Sequence, residues 1–313
     1  MSVTQLHPKA DGPDFSAGCA FMDGEFVPIA DAKISILDWG MVRSDCTYDV
    51  AHVWKGRFFR LEKHLDRFES GIARLRMELP FGREELEAVL HTCVAKAGLE
   101  DAYVSMTLTR GRPLKGIRDP RLCTNNFYAF AVPFVWLATP EQQEDGVHLH
   151  VSSIPRIDKA SVDPKVKNYH WIDMEMSLFE AYEAGANFVV LNDLEGNLTE
   201  GPGYNLFTYR DGTWTTPGEG VLEGITRGAV LDLCSELNVG ANEAVMIVDD
   251  LHAAEEILVT STAGGVMPVT QLDGKPVGNG KPGSATTRMR QLYWAKHAAE
   301  DWSKPVRYDL AES

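Results

Sequence analysis

The chain has 313 residues, 44% hydrophobic and 24% charged, which is the composition of a globular protein with room for two domains, or one large one, around a well-buried core. A formal charge of −15, with no Lys- or Arg-rich run, lacks the basic stripe that binding a nucleic-acid backbone or an anionic membrane surface requires. Five scattered cysteines without a Cys-x-x-Cys pair argue against a disulfide framework or zinc knuckle. With no signal pattern and no apolar run of about 18 residues, a reducing, cytoplasmic setting is expected.

Residues 1–18 are polar, with Pro8, Gly12 and Pro13, and are expected to be a flexible N-terminal arm. Residues 20–27 read as a hairpin turning on Asp23-Gly24. A second hairpin runs from Tyr48 to Trp54, turns at Lys55-Gly56 and returns through Arg60. Leu61, Leu65, Phe68, Ile72 and Leu75 recur at helical spacing, with Pro80 as the stop, and a second helix carries Leu86 to Val94 and closes at Gly98. Strands are predicted at 102–109 and 126–132, around a loop rich in Arg, Pro and Gly at 110–123. The polar stretch 137–146 is the expected linker between a small α+β domain, 19–136, and a large domain, 147–313. Beyond it, strands are predicted at 147–151, 187–191, 205–209 and 256–260, and helices from near Ile172, at 226–237 and at 285–299.

The stretch Val162 to Trp171 carries Lys165 and Lys167 where an extended segment gives way to a helix. A lysine pinned at such a junction and partly desolvated can be neutral and nucleophilic, as Schiff-base chemistry requires. Strand alternation points both lysines the same way and does not choose between them, and either reads equally as a solvated surface lysine. Glu200 precedes the tight Gly201-Pro202-Gly203 path, where a carboxylate could pair with a protonated ring nitrogen or merely sit in a turn. Gly224-Ile225-Thr226 leads into a helix, with Thr226 as its expected N-cap, and amides at a helix start suit a phosphate. Thr260 to Gly265 ends a strand with hydroxyls and small residues, again fit for an anion. Arg67 shares a helix face with His64 and could be an ordinary surface charge. His148 and His150 share a strand face without a third metal ligand nearby.

Taken in order, these features resemble the class IV pyridoxal-phosphate aminotransferases from about Ala20 to about Trp294. The motifs most similar to the (R)-selective amine transaminases are Ser44 to Val50, Trp54 to Leu61, Leu114 to Arg118, Val166-Lys167-Asn168 with Trp171, and Thr262 to Pro268. The resemblance implies a two-domain α/β and α+β fold with pyridoxal 5'-phosphate in the inter-domain cleft, 147–313 being the cofactor-binding part. It implies that Lys167 bears the cofactor and shuttles the proton, and that Glu200 holds the pyridine nitrogen protonated. Arg67, the amides of Ile225 and Thr226, and the Thr262 hydroxyl are implied to hold the phosphate. Tyr48 and the Thr262-Ala263 backbone match substrate-pocket positions, and Arg118 matches an arginine that receives the acceptor's carboxylate. Arg43 stands where relatives commonly have His and could add a cation for a second acidic group. The implied activity is ping-pong transfer from an (R)-amine or D-amino donor to a keto acid such as pyruvate. A branched-chain L-amino-acid aminotransferase, or an aminodeoxychorismate lyase, is the alternative. The expected partners are small molecules and a second copy of the chain in a homodimer.

Overall fold

Two tight hairpins open the chain. In the computed structural model, which describes residues 15–114 and 117–312, β1 (Cys19–Met22) and β2 (Glu25–Pro28) pair across Asp23 and Gly24, with φ of 52° and 86°. Positive φ at both turn residues gives the twist that matches the flanking strands. After α1 (Trp39–Arg43), β3 (Cys46–Trp54) turns the same way through Lys55-Gly56 into β4 (Arg57–Phe59).

Helix α2 (Leu61–Arg74) buries Leu61, Leu65, Phe68 and Ile72 along one face, as the spacing predicts. It stops well before Pro80, because Arg76 takes φ 54° and the Met77 amide bonds back to the Ile72 carbonyl at 3.0 Å. Helix α3 (Arg83–Ala97) ends at Gly98 with φ 64°. Then come β5 (Ala102–Pro113) and β6 (Cys123–Pro133), both longer than the alternation suggests. The extension is held by Arg110, whose guanidinium reaches the Asp45 carboxylate and the carbonyls of Leu75 and Arg76. The expected 110–123 loop therefore shrinks to the stretch beyond Pro113, closed by a short 3₁₀ turn at Pro120–Leu122.

Most of the expected linker is a helix, α4 (Pro140–Asp145), capped reciprocally by Thr139 and Gln142. The second half contains β7 (Val147–Val151), α5 (Ile172–Glu183), β8 (Phe188–Val190), β9 (Asn205–Arg210), β10 (Thr213–Pro217) and α6 (Ile225–Leu237). It continues with β11 (Gly240–Ala244), α7 (Val248–His252), β12 (Glu256–Ser261), β13 (Gly265–Leu272), β14 (Lys275–Pro276), α8 (Ser284–Ala295) and β15 (Ser303–Pro305).

These strands form two sheets. One is antiparallel, in the order β15-β4-β3-β5-β6-β1-β2. The other is mixed, in the order β11-β10-β9-β12-β13-β7-β8. The result is a two-domain α/β fold, except that β15 crosses back from the second half to pair with β4. The first core lies between its sheet and helices α2 and α3, with Leu65, Phe68, Leu90 and Met106 fully enclosed. Truncating one such side chain, Phe68→Ala, removes about 3–5 kcal/mol. A separate core gathers Phe207, Trp214 and Leu233 against α8. What remains between the sheets is a cleft.

Candidate active site

A cavity of about 580 Å³ occupies that cleft. The first sheet contributes Tyr48 and Val50 from β3, and α2 contributes Arg67. From the other side come Glu200, the start of α6 and the Thr262–Ala263 turn after β12.

Lys167 enters from the irregular segment between β7 and α5, and its backbone is pinned from both directions. Its carbonyl accepts the Tyr48 amide and the Thr47 hydroxyl, each at 3.0 Å. Next to it, Asn168 bonds the Val166 carbonyl at 2.8 Å, and the Trp171 indole donates to the Asn168 carbonyl at 3.0 Å. The amine stands 4.6 Å from the Tyr48 ring centroid. Removal from water, with Arg67 nearby, lowers the pKa of Lys167 to about 8 against the opposing pull of Asp49 and Glu200. Lys165 points elsewhere. It is exposed, its amine lies 2.7 Å from Glu223, and that carboxylate raises its pKa. The stretch is not a strand, so alternation does not place the two lysines on one side.

Glu200 is buried just before Gly203, whose φ of 81° makes the turn possible. One carboxylate oxygen accepts the Leu222 amide at 2.9 Å, and the other lies 3.6 Å from Arg156. Burial raises the Glu200 pKa, while Arg156, the Leu222 amide and Lys167 pull it back. Arg156 is itself buried and bonds Asp173 at 2.6 Å. No sequence pattern flagged Arg156, because its partners at 173 and 200 meet it only in the fold.

Arg67 faces the cavity through a two-pronged contact with Asp49, at 2.7 and 2.9 Å, and donates to the Glu223 carbonyl at 3.0 Å. Asp49 is fully buried and also meets His64 at 2.7 Å. Burial alone would raise its pKa, but Arg67 and His64 together hold its carboxyl well below the usual range. Arg67 is thus a fixed cation, not a surface charge.

Opposite it, α6 begins at Ile225, with Gly224 rather than Thr226 at the N-cap and no side-chain cap. Thr226 is the second helical residue because Gly224 already carries the extended backbone, at φ −62° and ψ 134°. A Cβ at Gly224 would stand 2.0 Å from the Asn205 side-chain oxygen, so only glycine lets the helix start approach this closely. The first amides of α6 lack helical partners and open onto the cavity, the usual requirement for an oxyanion. Thr262 and Ala263 line the same space, and the buried Thr260 hydroxyl beside them has no partner. Two expected residues do not join them. Arg43 is exposed, 3.6 Å from the Trp39 ring centroid, and Arg118 is exposed outside the lining. Lys115 and Gly116 of the expected Leu114–Arg118 motif lie outside the described residues.

The lining suits pyridoxal phosphate: a desolvated amine, a buried carboxylate with an adjacent arginine, and a cation facing open helix amides. The comparisons agree. The aminotransferase class IV profile matches residues 47–272. A putative branched-chain-amino-acid aminotransferase of Methanocaldococcus jannaschii is 29% identical over 276 residues, covering 87% of this chain and 94% of that protein. A D-alanine aminotransferase of Listeria monocytogenes is 27% identical over 279 residues, covering 87% and 93%. The solved T.th. branched-chain amino acid aminotransferase, bound to pyridoxamine 5'-phosphate, superposes with a TM-score of 0.87. It is 29% identical, over 93% of this chain and 99% of that one. The chain belongs to the class IV aminotransferase family. Within it, the protein is a pyridoxal 5'-phosphate-dependent aminotransferase acting on amino-acid and keto-acid substrates.

Proposed function

We propose that this aminotransferase takes its amino group from a branched-chain L-amino acid and passes it to a keto acid by a ping-pong mechanism. The observation that carries the reading is the apolar part of the cavity wall. Val50, Tyr103, Phe130, Val132 and Met174 give it apolar surface, and the arginines among the described lining residues already face carboxylates. A branched aliphatic side chain is at home there, whereas a second acidic group would be desolvated without a free cation. The branched-chain relatives and solved neighbours support this donor over the (R)-amine implied by the motifs. A D-amino or (R)-amine donor is the second reading, supported by the D-alanine aminotransferases among the relatives.

When bound, pyridoxal phosphate supplies a conjugated aldehyde on a ring that draws electrons from the donor carbon. Lys167 would hold the cofactor covalently; when released, its amine, with a pKa lowered to about 8, would be partly neutral at physiological pH and able to take and return the substrate proton. Glu200, steadied by Arg156, keeps the ring nitrogen protonated. Arg67, the Ile225 and Thr226 amides and the Thr262 hydroxyl hold the phosphate. Tyr48 and the Ala263 backbone orient the donor. The proposal includes a homodimer, supported by the exposed apolar run Ile36, Leu37, Met41 and Val42, and light scattering checks it.

The deciding experiment is a single-turnover comparison of L-leucine, D-alanine and (R)-1-phenylethylamine, following loss of the bound cofactor's visible band. L-Leucine is expected to react at least about tenfold faster than either competitor, a margin of roughly 1.4 kcal/mol. A faster D-alanine or amine reaction transfers the assignment to the second reading.

A further inference from the structure

Lys167 belongs to no sheet, yet its position must be held closely if its amine is to serve both cofactor and substrate. The segment bearing it runs irregularly from β7 to α5, without ladder pairing of its own. Its fixed point lies on the opposite sheet. One edge of β3 is covered by β5 along most of its length, but on the other edge β4 pairs only with Val53 and Trp54. The Tyr48 amide on that open edge is taken by the Lys167 carbonyl, and the neighbouring Thr47 hydroxyl donates to the same oxygen at 3.0 Å. Thr47 is 1% exposed, so its hydroxyl has no access to bulk water.

The other side of that hydroxyl is closed by α2. A Cβ on Gly71 would stand 2.5 Å from the Thr47 oxygen, closer than any such contact survives without a shift. Gly71 is four residues after Arg67 and so on the same helix face. Helix, strand and lysine segment are therefore stacked through a single hydroxyl, with a missing Cβ on one side and a carbonyl acceptor on the other.

We propose that Thr47 is a positioning residue for Lys167, its hydroxyl acting as a clip that Gly71 makes room for and that fixes where the lysine amine stands. The proposal rests on Lys167 being the cofactor-bearing lysine. The clip orients the carbonyl of the residue whose side chain works, and its effect falls on the lysine rather than on substrate binding. Thr47→Val keeps the shape and removes the donor, while Thr47→Ser keeps the donor and removes a methyl.

In the cofactor-loaded enzyme, Thr47→Val is expected to lower kcat about fivefold, as the loss of a neutral hydrogen bond implies, with donor KM changed less than about twofold. The pH midpoint of the cofactor's visible band, which titrates the nitrogen that Lys167 shares with the cofactor, should shift, because the anchored Lys167 backbone sets where that nitrogen stands. Thr47→Ser should restore both values. Gly71→Ala should move the band in the same direction, although Ala in a helix interior is normally the better residue. Added to Thr47→Ala, where the oxygen it collides with is gone, Gly71→Ala should add little.

Borohydride reduction and peptide mapping of the wild type separate the two layers of this argument. An adduct on Lys165 overturns the lysine assignment and the clip with it. An adduct on Lys167, with an unmoved band and unchanged kcat in Thr47→Val, overturns the clip alone. A lower melting temperature with neither of those changes also overturns it, since Thr47 would then only fill space.

Discussion

At the floor of the cleft, Arg67 gives two nitrogens to Asp49 and a third to the Glu223 carbonyl, while outside the lining Arg43 lies against Trp39 and Arg118 is exposed. Both regions were singled out by motif. Only the floor is built, in the sense that each charged group there has partners from a different part of the chain. Asp49 holds Arg67, Arg156 backs Glu200, and β3 holds the Lys167 carbonyl. The difference shows how much of a motif's role is carried by its neighbours. A floor residue cannot change without stranding a buried charge or a pinned backbone, whereas an exposed residue outside the lining can.

The sharpest way to break this contrast is through the two lysines. Lys167→Ala is expected to reduce turnover by about 10³-fold or more, because the cofactor attachment and the proton carrier are lost together. Lys165→Ala, which loses only an exposed pair with Glu223, should stay within about twofold of wild type. Comparable losses in both variants would erase the distinction.

Next comes pH. The Lys167 amine is protonated below about 8 and neutral above it, and only the neutral form attacks an aldehyde. Capture of pyridoxal phosphate by the cofactor-free protein should therefore speed up about fiftyfold from pH 6 to pH 8 and level off by about pH 9, followed by stopped-flow absorbance. A rise that continues toward pH 10 would mean that Lys167 is as solvated as Lys165.

Glu200→Gln should lower kcat by some tens of fold while cofactor affinity changes little, since an amide cannot hold a ring nitrogen protonated. An unchanged kcat would make Glu200 a turn residue. Arg67→Ala should weaken cofactor binding about tenfold or more, measured by equilibrium titration. It should also lower the melting temperature, because Asp49 is left buried without its main partner. The smallest effects are expected at the two exposed arginines outside the lining. Arg118→Ala and Arg43→Ala should change either half-reaction by less than about twofold. A selective tenfold rise in KM for the keto acid would instead bring Arg118 into the site.

What the sequence made legible was mostly local. The turns at Asp23-Gly24 and Lys55-Gly56, the buried face of α2 and the stop at Gly98 follow from short-range chemistry, and each forms. The cofactor, and most of the residues that line the cleft, were legible through motifs. Local pattern did not separate Lys167 from Lys165: the family motif chose Lys167, and the physical ground for that choice lies in where the segment docks. Strand β13 was missed, since its run contains Pro268 and opens on Gly265. The ends of β5 and β6 were missed because an ion pair between Arg110 and Asp45 extends them. Arg156 was invisible for the same reason: its significance lies in partners 17 and more residues away.

The return of β15 to β4 bears on how the molecule is made. During synthesis the first sheet emerges early, but the outer edge of β4 stays unpaired until Ser303–Pro305 appears. A growing chain therefore exposes a row of open backbone groups beside Phe58 and Phe59, which end up buried. The covering strand is short and carries Lys304 and Pro305, so it closes that edge without offering a long new one. Completion of the antiparallel sheet thus waits for residues near the end of the sequence. An interrupted chain would have its helices and hairpins in place and still be prone to stick.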